Sequence, residues 1–144
     1  IDIDDNVYEY DYIISSIPIP VLKNIEISPN LSNEKLKAMD ILKPDDTAKL
    51  ILIFKEKFWP VDMGIIYLNG SVPLFWPSFR KEKDNYMLTG MTSGEKCRTM
   101  DELYKNNPKG FIELILSDLS KTFNNSNISS NLVKYVWNNW KNDK

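Results

Sequence analysis

Lys49 stands near the head of an apolar run, AKLILIF over 48–54. Loss of water around its ammonium there would lower its pKa and ready it to hold or move a proton or a water. The plainer alternative is a lysine that snorkels its charge from a strand end to solvent. A second group is LFW at 74–76, where strand alternation sends Phe75 and Trp76 to opposite faces, so that only one of the two rings can face a cavity. Trp137 and Trp140 form a third group, for which aromatic packing is the plain reading. Cys97 follows Glu95 and Lys96, and reads as an inert, semi-buried thiol rather than a reactive thiolate. Asp2, Asp4 and Asp5 open like a calcium loop, but no Gly occupies its sixth position and Tyr12 stands where the closing Glu belongs, so no metal is assigned.

Several chemistries are excluded by what the chain lacks. It has 144 residues, a formal net charge of -2 and no histidine, which removes His-based catalysis, His-ligated metals and a uniformly basic surface for gripping nucleic acid. One cysteine allows no intrachain disulfide and no zinc site. No stretch reaches the roughly 18 apolar residues of a membrane span, and the first residues lack the basic start and apolar middle of a signal peptide. An intracellular protein, cytoplasmic or nuclear, is the expectation, with no membrane and no direct nucleic-acid partner. The N-x-S sequons at Asn30, Asn69, Asn124 and Asn127 are those an Asn-rich chain produces by chance, and are not read as glycosylated. This length suffices for one hydrophobic core.

The elements that must carry these residues follow from pattern. Residues 8–17 (YEYDYIISSI) have strand composition and end at Pro18 and Pro20. Ser32 suits the N-cap of a helix over 33–42, with Glu34 in its first turn and Leu36 and Met39 on one face. Residues 48–58 begin as a continuous apolar run and finish in alternation, which predicts a central strand buried on both faces first and half exposed later. Asn69-Gly70 between 63–68 and 71–76 predicts a hairpin with a type I′ turn. Residues 80–85 form a polar tip, and 86–91 pair back as a meander. Thr99-Met100-Asp101-Glu102 fits a capping box, and Pro108 suits the first position of the next helix, whose stripe is Phe111, Leu114, Ile115 and Leu119, widened by Ile112 and Leu116. The polar run 124–131 ends that helix, and 132–137 returns to strand composition. The result is an α+β fold, a mixed and largely antiparallel sheet flanked by helices.

Several of these words resemble flavin-dependent amine oxidases. Residues 11–18 (DYIISSIP) followed by VLK at 21–23 are similar to that family's D-x-V-I-x-T-x-P-x-x-V-L-K segment, and ISPNL at 27–31 resembles its F-x-P-x-L-P without the second proline. AKLILIF at 48–54, with Phe58-Trp59 after it, resembles N-K-V-x-L-x-F ending in F-W. PLFW at 73–76 and LTGMTSGEK at 88–96 resemble the L-F-W and A-L-V-A-G-E-A of the polyamine oxidase and histone demethylase branch, and WKND at 140–143 has the W-x-x-D of a later segment. The words run in order over nearly the whole chain.

The resemblance implies a family with an FAD domain opened by G-x-G-x-x-G and a substrate domain inserted into it. This chain contains no G-x-G-x-x-G, so the pyrophosphate cradle would lie in other parts of a parent chain, and the fragment alone would be inactive. The expected division is 1–20 as edge strands and turn of the FAD-binding domain, 21–136 as the substrate-binding domain and 137–144 as a return segment toward the FAD domain. By resemblance Lys49 is the catalytic lysine that holds a water at the flavin, Trp76 with Phe75 and Leu74 lines the substrate cavity, and Trp140 lies beside the flavin ring. Ser16, Ile17 and Pro18 would lie against the adenine side of FAD. The family often has Gly four residues before the lysine, where this chain has Asp45. The implied activity is oxidation of a polyamine or of methylated lysine in a peptide to an imine and aldehyde with release of hydrogen peroxide, the partner being the rest of the parent FAD domain. The alternatives are a related desaturase or protoporphyrinogen oxidase, or a binding module of this shape without flavin chemistry.

Overall fold

The computed structural model describes residues 6–42, 45–78 and 85–142. Asp2, Asp4 and Asp5, most of the polar tip at 80–85, and Asp143 of the W-x-x-D word lie outside them. The chain divides into two compact units after residue 44.

In the first unit, residues 8–17 form no strand. Strand composition gives a strand only where another backbone supplies the ladder. Among the described residues none does, and Tyr12, Ile13 and Ile14 stand 92%, 84% and 96% exposed. Pro18 then caps a single turn, α1 (Ile19–Leu22), its carbonyl accepting from the amides of Val21 and Leu22 at 2.9 Å. Helix α2 (Asn33–Ile41) starts where expected, with the Ser32 hydroxyl accepting from the Lys35 amide at 3.4 Å.

The second unit is built on a five-stranded sheet in the order β2-β3-β4-β1-β5, from β1 (Thr47–Phe54), β2 (Ile66–Tyr67), β3 (Leu74–Pro77), β4 (Tyr86–Ser93) and β5 (Leu132–Asn139). Every pairing is antiparallel. Strand β1 is central, as its apolar run predicts. Its burial runs opposite to the expectation, alternating over 47–52 and becoming continuous at 52–54. At the end of the strand Phe54 meets Phe58 edge to face at 4.9 Å, and Trp59 packs on both, so the aromatic F-W pair closes over Phe54.

The hairpin β2–β3 forms, but not on a two-residue turn. Ile66 pairs with Phe75 and Tyr67 with Leu74, leaving a loop closed by the Leu68 amide on the Pro73 carbonyl at 2.8 Å. Neither Asn69 nor Gly70 has a positive φ. The loop is held instead by Asp118, whose carboxylate accepts from the Ser71 amide at 2.9 Å and hydroxyl at 2.7 Å. Gly70 serves close approach: a Cβ there would lie 2.7 Å from that carboxylate oxygen.

One face of the sheet is covered by α3 (Gly94–Asn106), α4 (Pro108–Phe123) and the short α5 (Ile128–Asn131). Helix α3 begins directly as β4 ends, at Gly94 with φ +62. Thr99 therefore sits inside the helix rather than at its cap, and Cys97, Met100 and Asp101 form its buried stripe. Helix α4 begins at Pro108 as predicted, with the Asn107 side chain accepting from the Gly110 amide at 2.9 Å. Phe111, Ile115, Leu116 and Leu119 are buried on the sheet, whereas Leu114 lies outward. Asn124, left-handed at φ 47, ends the helix.

Candidate functional site

Antiparallel pairing places directly opposed residues on the same face of a sheet, and alternate residues of each strand with them. One row runs Leu74–Met91–Lys49–Asn138, and the next runs Trp76–Thr89–Ile51–Val136. Both rows belong to the face that the helices do not cover. The row between them, Phe75–Gly90–Leu50–Trp137, points into the helix-packed core.

The sequence-predicted residues divide accordingly. Phe75 is 1% exposed, its ring lying across Gly90, and it cannot line a surface together with Trp76. Trp76 and Leu74 are only part-buried. With Met63, Gly64, Ile65 and Pro77 they line an apolar recess of about 410 Å³. Trp137 belongs to the core: its ring packs on Phe111 at 5.0 Å, and its indole N–H donates to Asp101 at 3.1 Å. Burial pushes the Asp101 carboxyl up, but Lys105 at 2.7 Å, the Trp137 donor and Asn139 outweigh it and hold the group below its ordinary value.

Lys49 and Trp140 come together. The Lys49 Nζ stands 5.4 Å from the centroid of the Trp140 ring, within cation–π reach. Trp140 opens the 3-10 turn Trp140–Asn142 that follows β5, and it is 44% exposed, so the core does not fix its place. Sequence reasoning missed the charges gathered next to it. Asp46, just ahead of β1, receives Lys141 at 3.2 Å on one carboxylate oxygen and Arg98 at 3.2 Å on the other. Arg98 first, and Lys141 with it, hold the Asp46 carboxyl below its ordinary value. These three charges are far apart in sequence, and no local motif joins them. Ser16, Ile17 and Pro18 lie in the first unit, outside any helix or strand and exposed, ahead of α1.

What the second unit defines is a sheet with one sealed face and one open face, the open face carrying an aromatic recess and a lysine–tryptophan pair. That arrangement can contribute one wall of a site whose other wall is not among the described residues. The chain belongs to the flavin containing amine oxidoreductase family, whose model matches residues 2–144. It is 25% identical over 149 residues to the lysine-specific histone demethylase 1 of Schizosaccharomyces pombe, an alignment covering 98% of this chain and 14% of that protein. Its fold is similar to wild-type putrescine oxidase bound to putrescine, with TM-score 0.65 and 18% identity over 89% of this chain and 28% of that one. A Pyrococcus furiosus protein of known structure matches with TM-score 0.58 and 15% identity, over 94% of this chain and 33% of the other. The chain thus spans between 14% and 33% of the length of these relatives.

The residues present fit the flavin that the family implies. An aromatic ring and a hydrogen-bonding cation, neither used by the core, stand side by side on the uncovered face. The chain supplies no glycine-rich phosphate cradle, so the fit concerns the ring end of the cofactor alone.

Proposed function

We propose that this chain is the substrate-side portion of an FAD-dependent amine oxidase acting on a polyamine or on methylated lysine in a peptide. The observation that carries this reading is the shared open face: Leu74 and Lys49 lie on one row of the sheet, Trp76 lies on the next row of the same face, and the Trp140 ring stands beside Lys49. A bound flavin would supply the two-electron acceptor for hydride from the carbon bearing the amine. The chain's own residues bind, orient and exclude water. Trp76 attracts a cationic amine through its ring face, while the apolar surroundings of Leu74, Met63 and Ile65 favour its neutral form, whose lone pair the oxidation needs. Lys49 would hold a water or proton at its Nζ toward a bound flavin, and Trp140 would offer the flavin an aromatic neighbour. The imine product would hydrolyse to an aldehyde and a free amine or ammonia, and molecular oxygen would take up the two electrons removed from the substrate, with two protons, and leave as hydrogen peroxide. Residues 1–20 and 137–144 serve as the connections toward the FAD domain, with Ser16, Ile17 and Pro18 on its adenine side.

The test is the visible spectrum of the full-length protein, recorded without oxygen before and after addition of spermine and then of a dimethyl-lysine peptide. Flavin bands that bleach with one of these amines support the proposal and identify the substrate class. Folded protein without flavin bands overturns it in favour of a binding module, and flavin that neither amine bleaches favours the desaturase type.

A further inference from the structure

We propose that Asp46 is a positioning residue for this site, an ionic clamp that sets Trp140 over Lys49. The inference rests on the flavin-facing role just proposed for that pair, and deepens it. Strand β1 pairs with β5 so that Ala48 opposes Asn139 and Lys49 opposes Asn138. Continuing that register past the last ladder pair sets Asp46 opposite Lys141, and there the ladder is replaced by an ion pair of 3.2 Å. Trp140 stands in the chain between Asn139, the last ladder residue, and Lys141 of this ion pair, and its ring comes within 5.4 Å of the Lys49 ammonium.

The clamp is asymmetric. The Asp46 side chain is 9% exposed, whereas Lys141 is 65% and Arg98 50% exposed, so the carboxylate is the fixed member and the two cations reach in to it. Its backbone is fixed as well, because the Asp46 carbonyl accepts from the Gly94 amide at 2.8 Å. Arg98 belongs to α3, so the clamp ties the Trp140 turn to the helix layer as well as to β1. A second local contact orients the turn: the Lys141 amide donates to the Asn139 side chain at 3.0 Å. With Trp140 itself 44% exposed, these polar contacts do what packing does for Trp137.

The experiment uses the full-length protein labelled with 5-fluorotryptophan, the Trp140 resonance being assigned by its loss in Trp140→Phe. Asp46→Asn and Lys141→Met are each expected to move that resonance toward the solvent-exposed position, while Asp46→Glu, which keeps a carboxylate within reach, restores it. In the flavin-loaded protein, Asp46→Asn is expected to slow amine-dependent bleaching at saturating amine by about tenfold or more, as misplacement near a reacting centre does, with the half-saturating amine concentration unchanged. A Trp140 resonance that stays in place in both Asp46→Asn and Lys141→Met overturns the proposal, as does unchanged bleaching in Asp46→Asn. Because Lys141 is mostly exposed, Lys141→Met keeps the test open should Asp46→Asn fail to fold. Absence of flavin would defeat the functional reading of the previous section, and the fluorine resonance would still decide whether Asp46 holds Trp140.

Discussion

Gly90 leaves room for the Phe75 ring on the helix-packed face of the sheet, and replacing it by alanine tests that account. A Cβ built on Gly90 would lie 2.7 Å from Phe75 Cε1, 3.1 Å from Phe75 Cδ1 and 3.0 Å from Val72 Cγ1. Phe75 is 1% and Val72 2% exposed, so neither has room to swing aside. Forcing a methyl into such a site costs about 1–3 kcal/mol. For a domain of this size that lowers the melting temperature by several degrees. Shortening the ring should relieve the clash. Phe75→Leu alone costs on the order of 1 kcal/mol as a shape change in a filled core. The double variant is expected to be less destabilised than the sum of the singles, with a coupling of about 0.5–3 kcal/mol. Urea unfolding of the four proteins, followed by tryptophan fluorescence, measures this. Additive costs for Gly90→Ala and Phe75→Leu would refute the claim that the Phe75 ring lies across Gly90, and with it the assignment of Trp76 to the open face.

Two further outcomes are expected. Asp101→Asn removes the charge that the Trp137 indole and Lys105 share, and is expected to cost about 1–3 kcal/mol at neutral pH by urea titration. The wild-type carboxyl is held below its unfolded value, so its stabilisation is present above the ordinary carboxylate range and is lost as pH falls through the folded value. The acid limb of the stability profile should accordingly flatten in the variant; an unchanged limb would show that Asp101 does not carry it. Gly70→Ala is expected to destabilise by about 0.5–1.5 kcal/mol, because the Asp118 carboxylate must swing aside and give up bonds to Ser71, and to cost much less in an Asp118→Ala background. An equal cost in both backgrounds would mean that the backbone of the loop, rather than the carboxylate, demands glycine.

The fold was legible where a residue's neighbours in sequence decide its structure. The apolar run of β1, the stripe of α4, the Ser32 cap and Pro108 at a helix start all act within a few residues of themselves, and each element formed. The errors share a cause in contacts made over long separations. Residues 8–17 carry strand composition, but a strand is a relation between two backbones, and none of the described residues supplies the second. Asn69-Gly70 has the preferred residues for a tight turn, yet Asp118, 47 residues away from Ser71, sets the loop that forms. Thr99 begins a sound capping pattern, but the strand before it runs directly into the helix at Gly94 and places Thr99 in its interior.

The candidate site follows the same division. Alternation along LFW requires Phe75 and Trp76 to part, but which ring is sealed in depends on where the helices lie, and Gly90 across the sheet records that choice. The resemblance to the family singles out Lys49 and Trp140 separately. That they meet follows from the register of β1 with β5, which no local pattern specifies. Asp46 was invisible for the same reason: its partners are Arg98 and Lys141, 52 and 95 residues away. The lysine and tryptophan that meet on the sheet are therefore, on the proposal made above, held together by a third residue. Its acidic character makes sense only once the two strands are paired.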